Sequence, residues 1–64
     1  MVLKKNEEYM VYYVDDTNHR KHKLFSYRGR EGQMLVFLNV RTGKREVIPE
    51  RLISRWEATK KEEN

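Results

Sequence analysis

Residues 9–14 read Tyr-Met-Val-Tyr-Tyr-Val, a run of β-forming or neutral side chains with no polar alternation. A strand apolar on both faces has to be covered twice, by a closed barrel, a helix or a partner chain. The demand is severe in 64 residues, because a domain of that size buries only about 60% of its unfolded surface. Chains so small are usually stapled by disulfides, metals or oligomerisation. The absence of Cys removes disulfides and thiolate zinc sites together. The first strand therefore requires either a sheet that curls over itself or a homodimer.

The rest of the chain supplies further strands. Asp15-Asp16-Thr17-Asn18 is a cluster that bonds its own backbone and makes turns. A second strand is predicted over residues 21–28, followed by a polar loop from Gly29 to Gln33. Met34-Leu-Val-Phe-Leu-Asn-Val40 is the most apolar run and the expected central strand. Arg41-Thr42-Gly43-Lys44 reads as a hairpin turn, with Gly43 supplying the positive φ of a tight loop. Residues 45–48 then pair back, and Pro49 ends the strand for want of an N–H.

Beyond Pro49 the pattern changes. Leu52, Ile53 and Trp56 fall on one face of a helix, with Pro49 and Glu50 suited to its first turn. Glu57 and Lys61 would pair at i, i+4 on that helix. Trp56 is expected to be buried against the third strand. The competing reading is a single 3₁₀ turn over residues 49–52 and a fifth strand over 53–57. Seven aromatics and ample Val, Leu and Ile argue for a folded chain despite 38% charged residues. The expectation is one domain, 1–64, with residues 1–7 and 59–64 as frayed tails. The N-terminal residues lack the apolar core of a signal peptide, and no run approaches the roughly 20 residues of a membrane span. With Cys absent, a cytoplasmic protein is expected.

Charge is unevenly distributed. Between Arg20 and Arg45 stand eight basic residues and one acid, Glu31, whereas the remainder of the chain is net acidic. Such a patch attracts polyanions. Lys21, Lys23, Phe25 and Tyr27 share one face of the second strand by period 2. Basic side chains interleaved with aromatic rings suit single-stranded nucleic acid, although Phe25 and Tyr27 serve equally well as core with the lysines at its rim. Lys21, Lys23, Tyr27, Arg28, Arg41, Lys44 and Arg45 are the candidate nucleic-acid contacts, and the six cations among them should point to one side of the fold. Were they instead scattered or paired with Asp15, Asp16, Glu46 and Glu50, a protein adaptor would be favoured. His19 and His22 beside Asp15 and Asp16 could nominally hold a metal, but their spacing does not converge on a strand. Ser26 and Ser54 lie outside any nucleophile-elbow context. No enzyme activity, cofactor or metal is expected.

Glu8-Tyr9-x-Val11-x-x-Val14-Asp15, then Lys23-Leu-Phe-Ser-Tyr27-Arg28-Gly29, then an amphipathic C-terminal helix, resemble the chromo domain and its relatives among small archaeal chromatin proteins. The resemblance implies a curved antiparallel sheet or SH3-like barrel of four or five strands with a helix packed across one end. The alternative ending, a 3₁₀ turn and fifth strand, is that of an SH3-like barrel. Tyr9 and Tyr27 match two positions of the family's methyl-lysine cage. Arg30 stands where the third cage aromatic belongs, and the first loop is shorter than the family's. The expected function is a non-enzymatic small binding protein, acting on nucleic acid through the central basic surface. The rival is a protein-interaction module or homodimeric adaptor using the two-sided first strand.

Overall fold

The computed structural model describes residues 3–59. Five antiparallel strands form one sheet: β1 (Glu8–Val14), β2 (Arg20–Glu31), β3 (Met34–Asn39), β4 (Arg45–Pro49) and β5 (Ile53–Ala58). Their order is β4-β3-β2-β1-β5, so four strands meander and the fifth returns to the free side of β1. The sheet is not closed, because β4 and β5 remain its two edges. Among the described residues no helix is long and apolar enough to cross a membrane.

The first turn forms where expected. Asp15 Oδ1 accepts the Thr17 and His19 N–H groups, each at 2.9 Å, and the Thr17 hydroxyl at 2.8 Å. Asn18 takes the left-handed conformation at φ 67°. This turn fixes the β1–β2 register, in which Tyr12 faces His22 and Tyr9 faces Phe25. The β3–β4 turn also matches expectation, with Gly43 at φ 75° and its N–H on the Asn39 carbonyl at 2.7 Å. Asn39 holds the tip from inside. Its Oδ1 accepts the N–H groups of Arg41 and Thr42, and its Nδ2 donates to Glu46 at 3.0 Å.

The central strand is β2 and not, as expected, the apolar run 34–40, and three further expectations are corrected. The C-terminal helix is absent, and Glu50–Leu52 is a 3₁₀ turn that leads into β5. Ile53 and Trp56 are three residues apart, a spacing that would put them on opposite sides of a regular strand. A bulge at Ser54 removes the conflict, since Tyr13 pairs with Ile53 while Tyr12 pairs with Arg55. Both apolar side chains then face the core, and the pairing satisfies the backbone of β1 along its second edge. A helix would have left that edge open on the most apolar strand bar one. Secondly, Gly29, Arg30 and Glu31 continue β2 instead of forming a loop. Arg28 is the extra residue of a second bulge, between the pairs Tyr27–Phe37 and Gly29–Val36. Gly29 there adopts φ 139°, which a residue with a Cβ avoids. Thirdly, residues 3–7 are docked: Leu3 packs on the core, Lys4 donates its N–H to the Tyr9 hydroxyl at 2.8 Å, and the Asn6 N–H reaches the Tyr27 carbonyl at 2.7 Å. Residues 1–2 and 60–64, and with them the expected Glu57–Lys61 pair, lie outside the described residues.

The core occupies one face of the sheet. Tyr9, Val11 and Tyr13 of β1, Phe25 of β2, Leu35 and Phe37 of β3 and Ile48 of β4 form its buried cluster. Phe25 and Phe37 stack at 4.9 Å. Leu52, Ile53 and Trp56 pack on the same cluster but stay half-buried, so Trp56 closes the edge of the core without filling its centre.

Two outcomes follow for stability. Phe37→Ala should cost about 3–5 kcal/mol, enough to unfold much of a domain with so small a core. Trp56→Ala should cost roughly half as much, because part of the indole is already in water. Urea melts that rank the two equally would contradict this placement. Asp15 gives a pH signature. The His19 N–H, and after it the Thr17 hydroxyl, hold its carboxyl well below the usual carboxylate range. A carboxyl depressed on folding stabilises above its unfolded value of about 3.9, and the contribution is lost as pH falls towards the folded value. Asp15→Asn should therefore be less stable than the parent at pH 7, with the gap narrowing below about pH 4. A gap unchanged at acid pH would show that charge plays no part.

Candidate nucleic-acid interface

Alternation along each strand divides the cations of the middle segment between two faces. Lys21 and Lys23 do share a face with Phe25 and Tyr27, but it is the face that carries the core. Phe25 is completely buried, and Tyr27 is half-buried with its ring edge-on to Phe37 at 5.8 Å. The lysines stand at the rim of that face and each meets a carboxylate. Lys21 Nζ lies 3.3 Å from Asp15 Oδ2, and Lys23 Nζ lies 3.6 Å from Glu46 Oε1. The bulge at Arg28 puts Arg30 on the same side, where its guanidinium donates to Glu50 Oε1 at 2.8 Å. That hydrogen bond holds the Glu50 carboxyl below its ordinary value, against the opposing effect of partial burial. The two aromatic positions shared with the methyl-lysine cage belong to the core side as well. Tyr9 is buried, with its hydroxyl occupied by the Lys4 N–H.

Two further cations, Arg28 and Arg45, lie on the outer face. Lys5, Arg28, Arg30 and Arg45 line an open cleft together with Glu31, Val36 and Leu38. Arg28 donates to the Asn6 side-chain oxygen at 2.7 Å and meets no carboxylate among the described residues. Arg45 approaches Glu31 at 3.4 Å, but both side chains are more than 60% exposed, so the pair constrains the guanidinium little. Arg41 and Lys44 at the hairpin tip make no ion pair among the described residues. The seven candidates thus separate into two groups. Lys21, Lys23 and Tyr27 are tied into the core side, whereas Arg28, Arg45 and the hairpin cations Arg41 and Lys44 remain available to an anion.

The outer face adds three residues that were not among the nucleic-acid contacts expected from the sequence. Tyr12 of β1 sits between its cross-strand neighbours His22 and Arg55. The imidazole stacks on the phenol ring at 5.6 Å and an interplanar angle of 28°, and the guanidinium carbon lies 4.1 Å from the ring centroid. Three planar groups therefore form a row across β2, β1 and β5. Arg55 is also paired with Glu57 at 2.6 Å. The signal for Tyr12 and His22 was present in the five-residue turn, which fixes which residues of β1 and β2 face each other. Arg55 was out of reach while its segment was read as a helix. The two histidines part company: His19 Nδ1 lies 2.7 Å from the Thr17 hydroxyl in the turn, while His22 belongs to the outer row.

Comparison of the chain with protein-family models, with curated proteins and with solved structures finds no match.

Proposed function

We propose that this chain is a non-enzymatic nucleic-acid-binding protein that uses the outer face of its sheet. The observation that carries the reading is that Arg41 shares a cleft with His22, which begins the planar row with Tyr12 and Arg55, while Arg28 and Arg45 line a second open cleft. Cations without firm carboxylate partners neutralise phosphates, and planar side chains give bases a surface to stack on. Lys21 and Lys23, satisfied by Asp15 and Glu46, make a smaller contribution. The fold reading that accompanies this function is an SH3-like sheet, supported by the strand order and by the 3₁₀ turn between β4 and β5. A chromo-like version has less support, since its C-terminal helix is missing and Tyr9 is buried. The lack of Cys accords with a cytoplasmic setting.

One observation favours a protein partner or a second copy of the chain. Among the described residues the β4 edge has no strand beyond it, and Val47 on that strand is 42% exposed. An unpaired edge with an apolar side chain invites strand addition.

The two readings differ in their response to salt. Affinity for a single-stranded oligonucleotide should fall linearly with log salt, with a slope of about 0.7 per phosphate contact. Arg41→Glu combined with Lys44→Glu should weaken binding and flatten that slope, with the melting temperature nearly unchanged. Lys21→Glu should flatten it less. Oligonucleotide binding that is undetectable at low salt, with self-association seen by sedimentation, would hand the function to the β4 edge.

A further inference from the structure

We infer that the cleft between His22 and the β3–β4 hairpin receives one unpaired nucleobase, stacked on the imidazole, with its phosphate on Arg41. This inference rests on the nucleic-acid reading above and assigns that surface a preference for single strands. The cleft is an open depression of about 640 Å³ lined by Met10, His22, Lys23, Leu24, Asn39, Arg41 and Thr42, with the Lys23 ammonium held towards Glu46. Its floor is aliphatic: Met10 and Leu24 are paired across β1 and β2 and are only half-buried. The hairpin forms the opposite wall, brought alongside β2 by the Val40 N–H on the Leu24 carbonyl at 3.2 Å.

The geometry favours a ring face over a groove edge. One side of the His22 ring is occupied by Tyr12, itself backed by Arg55. The other side, towards the hairpin, is where the row can be extended by one more planar group. A base lying there would continue the stack and cover Met10 and Leu24, gaining both stacking and apolar burial. A base in a duplex has neither face free, so a double helix could offer this cleft only its backbone.

The polar groups of the wall explain what the cleft would not do. Asn39 Oδ1 is already shared between the Arg41 and Thr42 N–H groups, and its Nδ2 is given to Glu46. The Thr42 hydroxyl accepts the Lys44 N–H at 3.2 Å. Few hydrogen-bonding groups are left to read a base edge, so the site takes a base by shape and stacking and discriminates little among the four. Arg41 has its backbone anchored by Asn39 while its guanidinium meets no carboxylate among the described residues, which suits it to a phosphate at the cleft mouth.

The test uses the full chain and three probes of equal phosphate count: a short single-stranded DNA, the same strand with its central bases removed, and a duplex. Fluorescence anisotropy at low salt should show the base-bearing strand binding about tenfold tighter than the abasic one. His22→Ala should abolish that difference while leaving the salt slope and melting temperature near those of the parent. His22→Phe should restore it. Arg41→Glu should weaken the base-bearing and the abasic strand alike. Persistence of the base preference in His22→Ala would overturn the subsite and leave phosphate binding by the outer face standing. A duplex binding as tightly as the strand would overturn it likewise. Failure of all three probes to bind would remove the nucleic-acid reading itself.

Discussion

Phe25 and Phe37, stacked at 4.9 Å on neighbouring strands, are completely buried although the described chain has no second layer to cover them. A flat sheet cannot do that, because one of its faces would lie in water. The covering has to come from the sheet itself, with β4 bringing Ile48 and β5 bringing Ile53 and Trp56 over the rings contributed by β1, β2 and β3. Two bulges supply the bending: Arg28 in β2 and Ser54 in β5 each add an unpaired residue and increase the local twist. The 3₁₀ turn at Glu50–Leu52 then carries the chain from one edge of the sheet to the other. Strand order, the fate of the C-terminal segment and the division of the charges all follow from this self-covering.

Residues 9–14 were legible as a strand, but the expectation that both its faces are covered is corrected: Tyr9, Val11 and Tyr13 are buried in the core, while Met10, Tyr12 and Val14 stay half-buried on the outer face of an unclosed sheet. Both turns were legible for local reasons, since Asp15 and Gly43 act within a few residues of themselves. The C-terminal strand was harder to see. A spacing of three between Ile53 and Trp56 is what a helix would show, and a strand with one bulged residue produces the same spacing. Only the open edge of β1 decides between them, and that edge is a property of the assembled sheet. The extension of β2 through Glu31 was hidden for a related reason. The bulge at Arg28 shifts the alternation by one residue, so that Gly29-Arg30-Glu31 no longer continues the period set by Phe25 and Tyr27.

The candidate site was half legible. That Lys21, Lys23, Phe25 and Tyr27 share a face follows from period 2 and is correct, but the pattern cannot say which face becomes the core. The large ring decides it, because completely burying Phe25 is worth more than burying Leu24, which stays half-buried on the outer face. The lysines are carried to the core rim with it, where Asp15 and Glu46 lie within salt-bridge distance despite belonging to other elements. Charge counted along the chain therefore overstates the charge available on any one surface. Arg28, Arg41 and Lys44 meet no carboxylate among the described residues.

Asn39 is where the core and the outer surface meet. It is 7% exposed and opposite Phe25, on the face that carries the core. Its carboxamide nevertheless sets the backbone of Arg41 and Thr42, which form the wall of the cleft beside His22. A buried amide with its donors and acceptor engaged holds a loop more firmly than exposed contacts can, because leaving any of them unpaired would cost about 1–3 kcal/mol. The position of the hairpin cations is thereby coupled to the packing of Phe25 and Phe37, not left to the conformational freedom of a five-residue tip. On β1 the same coupling runs by alternation: Val11 and Tyr13 are fixed in the core, and Tyr12 between them is held at the angle that lets His22 and Arg55 flank its ring. A surface built this way is preorganised by the core beneath it, so a ligand that matches the row of rings and the hairpin guanidinium would lose little of its binding energy to ordering the protein.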